Sequence, residues 1–191
     1  MIILLVSDSH GHVMGSTIEG IDSECQVMTI SVGGKLGSIR SMYNARLNEV
    51  LLFRPDVIIV HSGHNDVMPH PRYDSQPVFM KFFIPQLERF RTQLLTNHPL
   101  SVIYFSSMLP RTTGPDFDSR QRDSYNKLCI RFRDMLRAAA NRGGLKVLLN
   151  CSMWASVRFS REKPGQHLLD GLHLNGTGRK TVAQEWLSKI R

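Results

Sequence analysis

Long apolar runs are scarce in this sequence. The longest stretches only from Met1 to Val6, whereas a membrane-crossing helix needs about 20 predominantly apolar residues. The same opening lacks the basic flank and small-residue cleavage site of a secretory signal. Cysteine is scarce too. Cys25, Cys129 and Cys151 are odd in number, no two lie close together, and there is no CxxC pair. That pattern excludes a disulfide framework and gives a thiolate metal site no support. It fits buried or free thiols in a reducing, cytoplasmic setting. Repeats, low-complexity blocks and Pro/Gly-rich linkers are also absent, so the 191 residues are expected to form one domain over 1–191. The start inside a strand-like run fits a domain cut from a longer parent chain.

Acidic residues are the minority charge, with 16 Asp+Glu against 24 Lys+Arg and a net charge of +8. Such a balance draws nucleic acid or anionic lipid when it is concentrated in one patch. Here it is scattered: Arg89 and Arg91, then Arg131, Arg133 and Arg137, then Arg158, Arg161 and Lys163. Solvated helix faces are the simpler reading. Hydrophobic residues make up 41%, enough for a chain of this length to bury a core without staples.

Residues 2–7 read as a strand buried on both faces. Residues 26–32, 56–62, 101–107 and 145–150 read as four more strands. Between them, 37–52, 78–97 and 119–141 read as helices, and 176–190 as a last helix. Phe83, Leu87, Phe90 and Leu94 form one apolar stripe, and Leu128, Phe132, Met135 and Leu136 another. Gly143 and Gly144 are the expected stop of the third helix. The loop at 67–77 carries Pro69, Pro71 and Pro77, and the stretch after 150 reads as irregular. Alternating strands and helices predict a three-layer α/β/α fold, a doubly wound, flavodoxin-like sheet of five parallel strands. Ligands in such sheets sit beyond the carboxyl ends of the strands.

Polar clusters fall at those ends. The first strand ends in Ser7-Asp8-Ser9-His10-Gly11, the second in Gly33-Gly34, and the third in Ser62-Gly63-His64-Asn65-Asp66. Asp170-Gly171-Leu172-His173 opens the final helical segment. Acyl transfer needs a nucleophile, a base, a group that orients the base, and oxyanion donors. Ser9 is placed to be the nucleophile, His173 the base and Asp170 its orienting carboxylate. The backbone N–H groups of Ser9 and Gly34 and the Asn65 amide are candidate oxyanion donors. Each block alone has a plainer reading as a helix cap, a loop or an Asx turn. Their joint presence in this order carries the argument.

These blocks resemble those of the SGNH, or GDSL-like, hydrolases. Ser7-Asp8-Ser9-His10-Gly11 matches the first block, with Ser7 where a glycine normally precedes the Asp. Gly34 best matches the second, with Gly33 also possible. Gly63-His64-Asn65-Asp66 matches Gly-x-Asn-Asp, and Asp170-Gly171-Leu172-His173 matches Asp-x-x-His. The resemblance implies hydrolysis of acetyl or short-to-medium acyl esters without a metal or other cofactor. It places Ser9, Asp170 and His173 in catalysis and Ser9, Gly34 and Asn65 in the oxyanion hole. The substrate side would be an acyl ester, including lipid or a membrane surface. More narrowly, the chain is similar to the esterase domain of first-open-reading-frame proteins of LINE-type retrotransposons, where nucleic acid is bound by other parts of the parent protein.

Two other readings stay open at this level. Asp8-Ser9-His10-Gly11 also resembles the Asp-x-His motif of calcineurin-like metal-dependent phosphoesterases. Against it, 63–66 read Gly-His-Asn-Asp with His and Asn reversed, and no Gly-His-x-His follows. The second is a catalytically silent basic module that associates with nucleic acid or membrane. His10, His12, His61, His64 and His70 suggest metal, yet no complete ligand set is legible, and site-lining or surface roles are expected of them. Trp154 and Phe159 are expected in packing, with an acyl-pocket wall as the alternative. Met68, Pro69 and the 109–118 loop are expected to rim the crevice. Asp66 is expected to stabilise its own turn.

Overall fold

A computed structural model of the chain describes residues 1–67, 76–112, 119–142, 145–159, 167–170 and 173–191. The strands are β1 (Ile2–Ser7), β2 (Gln26–Ser31), β3 (Val57–His61), β4 (Val102–Ser106) and β5 (Lys146–Leu148). All pair in parallel, in the order β2-β1-β3-β4-β5. This is the expected doubly wound, three-layer α/β/α fold. The five expected strands are all present, each within a residue or two of its predicted ends, β5 being the shortest at three residues. Its chain turns away where Asn150 adopts a left-handed backbone (φ 50°).

The continuous apolar runs are explained by two cores, one on each face. Leu4, Val6, Ile58, Val60, Ile103 and Phe105 point to one side. There they meet helices α2 (Leu36–Ala45), α3 (Leu47–Phe53), α5 (Gln76–Asn97) and α6 (Ser119–Asn141). Ile3, Leu5, Val57 and Ile59 point to the other, under α1 (Met14–Ile21) and α8 (Gly176–Ile190). Successive side chains of a strand alternate between faces, so a strand covered on both sides has no polar period.

Three features differ from expectation. The helix expected over 37–52 is two helices, broken at Arg46 (φ −108°, ψ 16°). Arg46 turns its guanidinium to the Thr29 carbonyl of β2 at 3.1 Å and to Glu49. Helices α1, α4 (His64–Val67) and α7 (Cys151–Phe159) were not expected. Helix α1 has no side-chain cap and contains Gly15, which keeps it close to β2: a Cβ there would lie 2.4 Å from Thr29 Oγ1. Pro77 is not in a loop but in the first turn of α5, where proline's missing N–H costs nothing. Met68, Pro69, His70, Pro71, residues 113–118, Gly143, Gly144, Arg161, Lys163, Gly171 and Leu172 lie outside the described residues.

Cys25 and Cys129 are buried thiols and Cys151 is exposed. Burial pushes the Cys25 thiol up to about 11 and the Cys129 thiol up to about 12. Several of the scattered cations pair on helix surfaces, as Arg46–Glu49, Arg122–Asp123 and Arg137–Asp134 do. Arg111 and Arg133 lie instead over the rings of Tyr125 and Trp154. No helix among the described residues is long and apolar enough to cross a membrane.

Candidate active site

Strand order reverses between β1 and β3, and the clefts of open α/β sheets form at such a switch point. Ser9 follows β1 there and opens a single 3₁₀ turn, Ser9–Gly11. The turn forms because Asp8 caps it, its Oδ1 accepting the His10 N–H at 3.1 Å. Gly11 is needed in the turn, since a Cβ would fall 2.4 Å from the Ser7 Cβ.

His173 arrives from the far end of the chain. Leu168 and Leu174 form an antiparallel bridge, with the Leu169 N–H donating to the His173 carbonyl at 2.7 Å and the Asn175 N–H to the His167 carbonyl at 2.9 Å. Asn175 then caps α8 by accepting the Gly178 N–H at 2.9 Å. Asp170 accepts the His173 backbone N–H at 2.7 Å through Oδ1 and the ring Nδ1–H at 2.7 Å through Oδ2. That leaves the lone pair on Nε2, which lies 3.3 Å from Ser9 Oγ. The structure thus brings Ser9, His173 and Asp170 together in series. Asp170 and His173 are both about half-exposed.

The second and third blocks meet beside them. Gly34 has φ +146°, a conformation that side chains rarely adopt, whereas Gly33 has neither a positive φ nor close neighbours. The Asn65 amide donates to the Gly34 carbonyl at 3.0 Å. Asp66 accepts the Leu36 N–H at the start of α2 at 3.0 Å, and its own backbone N–H also bonds its carboxyl. Burial raises the Asp66 carboxyl above its ordinary value. Asn65 donates one of its two N–H bonds to Gly34. Among the described residues no acceptor faces the backbone N–H of Ser9 or Gly34.

Of the histidines singled out in the sequence, only His12 is exposed among the described residues. His10, His61 and His64 are buried and gather round Asp8, with candidate ligand atoms within 4.8 Å of one another. Asp8 Oδ1 accepts His10 Nδ1–H and Oδ2 accepts His64 Nδ1–H, both at 2.8 Å. His64 Nε2 accepts the Leu109 N–H at 2.9 Å. A backbone N–H only donates, so the single proton of neutral His64 sits on Nδ1, facing Asp8. A cation at that nitrogen would have to displace this proton from a ring already committed on its other side. The set therefore fits a hydrogen-bonded carboxylate better than a metal site. Burial opposes the charge on Asp8, but His64 and His10 outweigh it and hold its carboxyl well below the usual range. Burial, with His10 beside it, holds His64 down to about 4. Burial also keeps His61 well below its ordinary value. Its Nδ1 lies 2.9 Å from Ser106 Oγ.

Trp154 is a packing residue, its Nε1–H donating to the Met108 carbonyl at 3.1 Å. The Phe159 side chain lies outside the described residues. Of the expected rim at 109–118, Leu109 and Arg111 are buried.

The family model of GDSL-like lipases/acylhydrolases matches residues 20–180. The chain belongs to the GDSL-like lipase/acylhydrolase family. The match begins after Ser9, so the place of that serine rests on the geometry above. No curated protein sequence matches the chain. Among solved structures, it is similar to the acetyl xylan esterase AlAXEase, at 16% identity and TM-score 0.69 over 100% of both chains. It is also similar to a GDSL-like lipase from Bacteroides thetaiotaomicron, at 14% identity and TM-score 0.66 over 99% of this chain and 87% of that one. A protein assigned to the SGNH hydrolases from Slackia heliotrinireducens shares 14% identity and TM-score 0.68 over 100% and 99%. At these identities the likeness is one of fold. Family membership makes the chain a hydrolase of the esterase/acylhydrolase kind and disfavours the phosphoesterase reading.

Proposed function

We propose that this member of the GDSL-like family is a serine carboxylic-ester hydrolase, with Ser9 as nucleophile, His173 as general base and Asp170 as the carboxylate that orients it. One observation carries the reading. Ser9 Oγ and His173 Nε2, 164 residues apart in sequence, lie 3.3 Å apart, with Asp170 on the other ring nitrogen. Hydrogen bonds of this kind are often long without substrate and tighten in its complex.

The reaction follows from the proton positions. His173 Nε2 takes the Ser9 proton as Oγ adds to the ester carbonyl carbon. The negative oxygen that forms is met by the N–H groups of Ser9 and Gly34 and the remaining Asn65 N–H. Each such donor is worth about 3–4 kcal/mol in comparable sites. His173 then returns the proton to the departing alkoxide, which leaves as alcohol. Water repeats the sequence on the acyl-serine, releasing the carboxylic acid and restoring Ser9. Asp170 stays ionised throughout and stabilises the imidazolium. Acetyl and short-to-medium acyl esters are the proposed substrates.

The test is a chain-length series of p-nitrophenyl acyl esters, assayed on wild type, Ser9→Ala and His173→Ala. Wild type should turn over at least one ester, and each variant should lose about 10³-fold or more in kcat with its fold intact. Ester hydrolysis that survives Ser9→Ala contradicts the proposal.

A further inference from the structure

The buried carboxylate just before Ser9 has no part in the reaction above, yet the fold surrounds it with donors. Asp8 is 0% exposed. Its backbone N–H donates to the His61 carbonyl at 3.1 Å, and its carbonyl accepts the Gly11 N–H at 3.0 Å and the Ser31 hydroxyl. Its Oδ1 takes both the N–H and the Nδ1–H of His10. Every polar group of Asp8 is therefore engaged. Among the described residues nothing anchors the N–H of Ser9, the next residue, so its placement is inherited from Asp8 before it and His10 and Gly11 after it.

Oδ2 is the weak point of this arrangement. Its one described donor is His64 Nδ1–H, from the opposite side of the switch point. His64 is itself aimed by the Leu109 N–H on Nε2, which allows only the tautomer that donates to Asp8. The His64 ring also stacks on His10 at 4.0 Å between centroids, and His10 lies 5.5 Å from the His173 ring. His64 sits in the variable place of Gly63-His64-Asn65-Asp66, beside the proposed oxyanion amide. A buried anion stripped of a donor either takes up a proton or turns toward another partner, and either change moves the turn that carries Ser9.

We propose that His64 is a positioning residue: through Asp8 it holds the Ser9 turn in the geometry that attack requires. This rests on the reading of Ser9 as the nucleophile. What matters is the N–H delivered to Oδ2, not the capacity of the imidazole to titrate.

Two substitutions separate these properties. His64→Asn places an amide N–H where Nδ1–H stands, and His64→Leu fills the space without a donor. Wild type, both variants and Ser9→Ala are compared for kcat and KM on a p-nitrophenyl ester and for the rate of phosphonylation by a fluorophosphonate, with thermal melts to check folding. The expected result is a loss of about 10–100-fold in kcat and in phosphonylation rate for His64→Leu, with KM little changed. His64→Asn should stay within about threefold of wild type on this mechanism. Equal losses in the two variants, or a folded His64→Leu with wild-type kcat, overturn the proposal. If His64→Leu does not fold, His64→Asn decides alone: a loss beyond about tenfold in a folded protein overturns it, and retained activity sustains it. Activity that persists in Ser9→Ala condemns the nucleophile assignment instead, and is read separately from the His64 pair.

Discussion

Acid should destabilise this protein through a histidine that never needs to bind a proton in the fold. His64 is buried, and its folded value lies at about 4 against an ordinary 6.5. Between those limits the unfolded chain binds a proton at His64 and the folded chain does not. Stability from this group is therefore complete above about pH 6.5 and falls as the pH drops to about 4. At about 1.4 kcal/mol per pH unit, the whole window is worth about 3 kcal/mol. His61 and His98 are also held low by burial and act in the same direction. Asp8, with its carboxyl held low, loses its contribution only at still lower pH. The His64→Asn variant isolates the effect, because His61 and His98 remain in both proteins. Urea unfolding followed by circular dichroism from pH 7.5 to 4.5 gives the difference directly. Wild type should lose on the order of 2–3 kcal/mol more than His64→Asn across that range. Parallel stability curves for the two proteins would refute the assignment of His64 as a neutral, buried donor to Asp8.

Other substitutions test the remaining parts of the site. Asn65→Ala should lower kcat on a p-nitrophenyl ester by about 10²–10³-fold, and an unchanged kcat removes Asn65 from the oxyanion site. Gly34→Ala should cost about 1–3 kcal/mol in urea unfolding, because φ +146° is forbidding and Ser38 stands 3.1 Å away. Gly33→Ala, in open space, should be close to neutral, and the reverse order contradicts the geometry. Gly178→Ala would put a Cβ 2.3 Å from the His167 carbonyl. It should lower both thermal stability and kcat by disturbing the Leu168–Leu174 bridge, and an unaffected kcat would mean that the bridge does not set His173.

β1 and β3 were legible because each is an apolar run buried on both faces, and the helices α5 and α6 because of their length and apolar stripes. Helix α1 escaped notice since its glycine serves the packing against Thr29, which weakens its local propensity. The break at Arg46 depends on a carbonyl of β2, a partner that no local pattern reveals. The residues of the proposed triad and oxyanion donors were legible as four blocks in order, because three of them end strands and the fourth leads into α8. The histidine cluster was not. Site-lining or surface roles were expected of His10, His61 and His64 one by one, and the Asp8–His64 bond joins residues 56 apart. The place of His61 at the end of the continuous apolar run of β3, buried at every position, was the one local sign that a ring belongs inside.

The account stands most directly on the hydroxyl of Ser9 being activated by His173. Phosphonylation by a fluorophosphonate, followed by peptide mapping of the modified residue, measures this. The label is expected on Ser9 alone, and His173→Ala should slow its attachment by about 10²-fold or more. A label on another residue, or labelling of Ser9 at an unchanged rate in His173→Ala, would contradict it.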